Sequence, residues 1–186
     1  MLFRSHVLLQ DPSFFTSLFQ IDLGLAEEIR AAGCSCGGQL HCADYERKPK
    51  GCAAAIESDY AVRFSFCCDI CRKRTTPPSV RFLGRRVYVS VVVVLASIAR
   101  LGMNSAQAAK LERILDVPVR TVGRWKNWWQ TNFGKTRFWQ SVSSRFVPPI
   151  STDQLPANLL ERFQANNKAD QLRLLLRFLA PLSASQ

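Results

Sequence analysis

Two short cysteine clusters, Cys34-Ser35-Cys36-Gly37-Gly38 and Cys67-Cys68-Asp69-Ile70-Cys71, bracket the first half of this chain and constrain its fold more than any other feature. Thiolates gathered from two tight turns make a tetrahedral soft-ligand site suited to Zn²⁺. Gly37-Gly38 supplies the permissive backbone of a metal knuckle, whose amides must turn towards the sulfurs. Only Cys68-Asp69-Ile70-Cys71 is a clean Cys-x-x-Cys, and the first cluster is one residue shorter. Neighbouring residues on a strand point to opposite faces, so either Cys67 or Cys68 could be the third ligand, with His41 and Cys42 as replacements if the first knuckle is distorted. The bland alternative is a reduced, metal-free set of small buried hydrophobes. A closed sulfur set makes the expected Zn²⁺ structural, its contribution being to folding. His6 and His41 are the only histidines, and neither stands in an H-E-x-x-H or deaminase-like pattern that would suit a catalytic zinc.

The net charge of +11 is unevenly spread: residues 1–71 carry −3, residues 72–137 carry +12, and residues 138–186 carry +2. Such a middle block draws in polyanions and makes binding salt-dependent through release of phosphate counterions. A solvated basic face kept for solubility is the competing explanation. The 186 residues suffice for one good core or two small ones. No apolar run reaches the ~18–20 residues that span a bilayer, and the N-terminus lacks the pattern of a secretory signal. The expectation is therefore a cytoplasmic protein, in which seven cysteines mean metal or free thiols and not a disulfide framework.

Along the chain, Asp11-Pro12-Ser13 opens a helix over 14–19 with Ser13 as its cap, and a second short helix over 23–32 ends at Gly33. This pair should pack on the ribbon or on the C-terminal part. Residues 34–83 read as β-rich, with strands over 39–45 and 60–67, an insertion over 52–58, and Pro77-Pro78 excluding a central strand after them. Val87, Val91, Val94, Leu95, Ile98 and Leu101 share one helical face, although the valines alone would favour a strand. Further helices follow over 105–115 and 119–132, separated by Asp116-Val117-Pro118. The last of these places Val122, Trp125 and Trp129 on a buried stripe and Arg120, Thr121, Arg124 and Asn127 on the opposite side. Helix, tight turn and basic helix is the helix-turn-helix arrangement, in which Arg reaches guanine or phosphate and Thr or Asn reaches base edges. Trp128, Trp129, Phe133, Phe138 and Trp139 form an aromatic cluster, read as core in preference to a base-stacking surface. Two closing helices, over 156–164 and 169–179, carry a Leu172, Leu175, Leu176 and Leu179 stripe that either covers the core or pairs with a partner.

The segments 34–41, 44–51, 63–68 and 71–88 together resemble a group of small bacterial, transposase-related proteins of mobile elements, over most of the chain. Residues 34–132 are also similar to the zinc-ribbon and helix-turn-helix front end of insertion-sequence transposases, where a Cys-rich knuckle precedes Arg-rich and Thr-rich residues. The resemblance implies recognition of element-end DNA, with Cys34, Cys36, Cys68 and Cys71 as the metal ligands. The shortened first knuckle departs from that pattern. An RNase-H-like nuclease needs three carboxylates around two Mg²⁺ ions on a sheet, whereas the basic block offers Glu112 and Asp116 and the tail Asp153, Glu161 and Asp170.

The expectation is an α+β protein, not an enzyme. A helical segment spans 1–33, a small zinc ribbon 34–84, a helix-turn-helix domain 85–140 and a helical tail 141–186. It would bind double-stranded DNA through Arg72, Lys73, Arg74, Arg81, Arg85, Arg86, Arg120, Thr121, Arg124 and Asn127, with a recombinase or transposase subunit as a further partner. Two alternatives stand beside this reading: a non-catalytic transposase fragment or subunit that completes a nuclease with another chain, and a protein-interaction module.

Overall fold

The computed structural model describes residues 8–52, 54–84, 86–101, 113 and 116–184. It is a mixed α+β chain dominated by helix, with two small open sheets. The chain divides into two compact units, one containing Leu9–Ser90 with the stretch from Leu176 onward, the other Val91–Leu175.

In the first unit a single helix, α1 (Pro12–Ala32), replaces the two expected short ones. Its N-cap is Asp11, not Ser13: the Asp11 carboxylate accepts the Ser13 amide at 2.9 Å and Pro12 fills the first turn. The helix runs through Gly24 because Phe14, Phe15, Leu18, Asp22 and Ala26 keep one continuous buried stripe. That burial outweighs the roughly 1 kcal/mol that a mid-helix glycine forfeits. Gly33, at φ 72°, ends it.

Strands β1 (Leu40–Cys42), β4 (Phe66–Cys68) and β5 (Arg74–Thr75) form an antiparallel sheet in the order β1-β4-β5, and β2 (Tyr45–Glu46) pairs with β3 (Val62–Arg63) in a second. Register sets Leu40 opposite Cys68 and His41 opposite Cys67. The single strand expected over 60–67 is thus two strands. At the break, the Ser65 amide leaves the ladder for the Asp44 carboxylate at 2.8 Å while the Ser65 carbonyl accepts the Ala43 amide. The insertion is a 3₁₀ turn (Ala54–Ile56) and the short helix α2 (Glu57–Tyr60). Pro77 and Pro78 lie beyond the edge strand, outside the sheet.

Ala26 of α1 joins Leu40, Phe66 and Cys68 in one buried cluster, against which Ile29, Phe64, Cys34 and Cys71 pack. The C-terminal half of α1 is therefore the floor under both cysteine turns. Nearer the middle of α1, Asp22 accepts from Arg81 Nε at 2.7 Å, from the Val80 amide at 2.6 Å and from the Ser79 hydroxyl. The rings of Phe19, Tyr60, Phe64 and Phe82 surround the Arg81 guanidinium at 4.8–5.4 Å. The other Asp22 contacts and the four rings offset the cost of burying this ion pair, although Arg81 Nη2 has no hydrogen-bond partner among the described residues.

In the second unit, α3 (Ser90–Arg100) is the helix expected there. It is buried all round its N-terminal half and not along one stripe: Val91 through Ala96 are all buried, whereas Val87, before the helix, is exposed. Helix α4 (Val119–Thr131) buries Val122, Trp125 and Trp129 as its periodicity requires. The Trp129 indole N–H donates to Ser97 Oγ at 3.2 Å, and Phe133 lies 4.9 Å from both the Trp129 and Trp139 rings. Of the aromatic cluster, Trp129, Phe133 and Trp139 are core, while Trp128 and Phe138 are half-buried. The short helices α5 (Arg137–Val142) and α6 (Ala157–Glu161) follow, and then α7 (Lys168–Leu179). Helix α7 belongs to the second unit up to Leu175 and to the first from Leu176; its Leu172, Leu175, Leu176 and Leu179 are all buried, so the stripe is covered within the chain. Among the described residues no helix is long and apolar enough to cross a membrane. Of the expected helix over 105–115, all but residue 113 lies outside the described residues.

Candidate metal centre and basic helix

Cys34 and Cys36 leave the end of α1 in a turn closed by the Cys34 amide on the Gly38 carbonyl at 3.0 Å and the Gly37 amide on the Cys34 carbonyl at 2.9 Å. Cys68 ends β4 and Cys71 closes the turn beyond it, which returns through the Cys68 amide on the Lys73 carbonyl at 3.1 Å. The two turns bring Cys34, Cys36, Cys68 and Cys71 together with all four sulfurs within 4.8 Å of one another. Two close pairs cross between the turns: Cys34 to Cys71 at 3.5 Å and Cys36 to Cys68 at 3.4 Å. A tetrahedron with Zn–S bonds of about 2.3 Å has sulfur–sulfur edges of about 3.8 Å. The cluster is thus of the right size to close around one such ion.

Its electrostatics suit a cation. The Cys36 thiol is drawn down to about 6, first by the Gly38 amide and then by the thiols of Cys68, Cys71 and Cys34. Amides of Cys71 and Ile70 also favour the Cys68 thiolate, but burial and competition from Cys36 and Cys71 push that thiol up to about 12. For Cys71 the Lys73 amide favours the thiolate, yet burial and the Cys34 and Cys36 thiols raise it. Amides are thus aimed at the sulfurs of Cys36, Cys68 and Cys71, while Cys68 and Cys71 resist ionising beside the other thiols. A divalent ion removes that conflict.

The alternative ligands fall outside the set. Cys42 is exposed, and the half-buried Cys67 turns its sulfur to the carbonyl of Arg72 at 3.6 Å. His41 stands 3.8 Å from Asp69. Two further residues complete the centre: Asp69, which motif reading passed over, and Gly38, one of the two glycines expected in the first knuckle. Asp69 accepts the Gln39 amide at 2.9 Å and donates its own amide to the Gln39 carbonyl at 3.1 Å, clasping one turn to the other. Gly38 approaches so closely that a Cβ there would lie 2.5 Å from Cys68 Sγ. The Gly-Gly pair after Cys36 was the available signal for the second. An aspartate directly after a cysteine gives no comparable signal for the first.

The basic residues separate into distinct environments. Arg81 is a correction: it is fully buried in the Asp22 pair, so its charge faces a carboxylate and four rings and not a duplex. Arg86 is half-buried, donates to the Leu83 carbonyl at 3.1 Å, and has its guanidinium pushed down by burial. Arg72, Lys73 and Arg74 are exposed, Arg74 being tied to the Ala43 carbonyl at 3.0 Å over the Tyr45 ring. On α4, Arg120, Arg124 and Asn127 are exposed at one-turn intervals opposite the tryptophans. Thr121 is half-buried, and its hydroxyl accepts from Arg124 at 3.1 Å. Arg85 lies outside the described residues.

Compared with known protein families, curated proteins and solved structures, the chain shows no significant match to any of them. What fold and site define is a small α+β protein with a four-cysteine cluster able to chelate a metal ion.

Proposed function

We propose that this is a zinc-stabilised DNA-binding protein of a transposable element, which recognises duplex DNA through α4 and a basic face. The carrying observation is the exposed stripe Arg120, Arg124 and Asn127, which lies opposite the buried Val122, Trp125 and Trp129 of the same helix. Arg and Asn side chains at one-turn spacing suit base edges and phosphates in a major groove. The +12 balance of residues 72–137 supports a polyanionic partner. In this reading Cys34, Cys36, Cys68 and Cys71 hold a structural Zn²⁺ that folds the ribbon, and the chain has no chemistry of its own, acting beside a recombinase or transposase.

Arg120→Ala with Arg124→Ala should weaken binding to duplex DNA and reduce the slope of log affinity on log salt by about two. Titration by fluorescence anisotropy at several salt concentrations reads both. Unchanged affinity and slope would remove α4 as the reading element. Mg²⁺-dependent nicking of element-end DNA by the purified chain would replace the binding role with the nuclease-subunit alternative.

A further inference from the structure

The four sulfurs able to hold an ion are also placed to bond to one another. Cys34 Sγ lies 3.5 Å from Cys71 Sγ, and Cys36 Sγ lies 3.4 Å from Cys68 Sγ. The two pairs share no sulfur, and each joins one turn to the other. A disulfide is about 2.05 Å long, so side-chain rotation must close each gap by about 1.4 Å. Cys36 is exposed, whereas Cys34 and Cys71 are half-buried and Cys68 is buried, so an oxidant from solvent meets Cys36 first. The other cysteines are not arranged in this way. Cys67, although next to Cys68, turns its sulfur to the carbonyls of Cys68 and Arg72, and Cys42 and Cys52 stand outside the cluster.

We propose that these four cysteines form a convertible staple, in which hydrogen peroxide replaces the metal–thiolate clasp with two crossed disulfides, Cys36–Cys68 and Cys34–Cys71. The inference rests on the metal reading above. The Cys36 thiolate attacks a peroxide oxygen, the O–O bond breaks and hydroxide leaves, giving a sulfenic acid at Cys36. The Cys68 sulfur then attacks the Cys36 sulfur, the S–O bond breaks, and the departing hydroxide takes up a proton as water. Cys34 and Cys71 consume a second peroxide in the same way. Two peroxides are thus reduced to four waters, with protons from solvent, and four thiolates are oxidised to two disulfides. A disulfide sulfur carries no negative charge, so Zn²⁺ loses its ligands and is released. The new bonds span 37 and 32 positions of chain. Crosslinks closing loops of that size constrain the unfolded chain and hold the turns together without the ion.

The test uses the reduced, zinc-loaded full chain carrying Cys42→Ser, Cys52→Ser and Cys67→Ser, which keeps all four ligands. Peroxide should release one zinc to a chromogenic chelator for every four thiols lost. After tryptic cleavage without reductant, peptides 31–47 and 64–72 should emerge joined and four hydrogens lighter than their sum, with fragmentation placing the bonds at Cys36–Cys68 and Cys34–Cys71. Under excess EDTA the oxidised chain should keep amide protection over 39–75 that the reduced chain loses. Dithiothreitol with Zn²⁺ should restore the starting state. Peptides that emerge separately, each with an internal disulfide or with sulfinic acid alone, overturn the crossed staple and leave the metal reading standing. So does a bond from Cys36 to Cys71, or zinc retained by the wild type under peroxide that oxidises Cys42. A reduced chain that takes up no zinc overturns both.

Discussion

The two cysteine turns solve one problem with different means. In each, the residue after the second cysteine adopts positive φ, and the amide beyond it favours that cysteine's thiolate. In the first turn that residue is Gly37, at φ 88°; in the second it is Arg72, at φ 59°. The shorter turn has one residue fewer between its cysteines and meets the geometry with two glycines, one for the positive φ and one for close approach to Cys68. The longer turn reaches its cysteines with ordinary spacing, yet keeps a bulky cation where glycine would be unstrained. A side chain retained against backbone preference points to a use for that side chain. One use lies close at hand, because four thiolates around a divalent ion carry a net charge of minus two, which Arg72 and Lys73 offset.

If both turns contribute equally to one ion, removing a sulfur from either should have the same, and the largest, effect. Cys36→Ser and Cys71→Ser are each expected to abolish stoichiometric zinc by native mass spectrometry and to leave the ribbon unfolded, as chelation should do to the wild type. The scale is set by the ~10–16 kcal/mol apparent affinities of structural zinc. A variant that keeps full zinc would show that its turn is not a ligand source, and the comparison would fail. Next in size, Gly38→Ala should cost about 2–3 kcal/mol in denaturant unfolding, because the added methyl would stand 2.5 Å from Cys68 Sγ and 2.6 Å from Asp69 Oδ1. Gly24→Ala is its control, since a Cβ at that helical position meets nothing within 4 Å, and it should gain about 0.5–1 kcal/mol.

Local chemistry was legible where a single residue type decides the outcome. The cysteine turns, the Gly33 helix stop, the exclusion of Pro77-Pro78 from the sheet and the apolar stripe of α4 all follow from backbone freedom or helical period. What escaped depends on partners remote in sequence. Arg81 stands in a run of arginines and reads as surface, but Asp22, almost sixty positions earlier, draws it inward. No local pattern announces that pairing. The fusion of two short helices into α1 has the same origin, since Gly24 is tolerated only because residues on both sides of it face one core. Strand breakage at Ser65 likewise depends on the side chain of Asp44.

The smallest predicted effect bears most directly on why the turns differ. Replacing Arg72 by glycine should relieve the positive-φ strain and raise stability by about 0.5–1 kcal/mol, the balance of αL relief against the greater freedom of an unfolded glycine. The same change removes one exposed cation beside the second cysteine turn and should reduce the salt slope of DNA binding by about one. Stability and affinity would then move in opposite directions in one variant, as expected of a residue held in strain for the sake of a contact. Arg72→Asn separates the terms, since asparagine tolerates positive φ without adding glycine's backbone freedom. If Arg72→Gly instead loses stability together with zinc affinity, the guanidinium acts on the tetrathiolate charge. The two turns would then differ because one lies next to a counter-charge and the other does not.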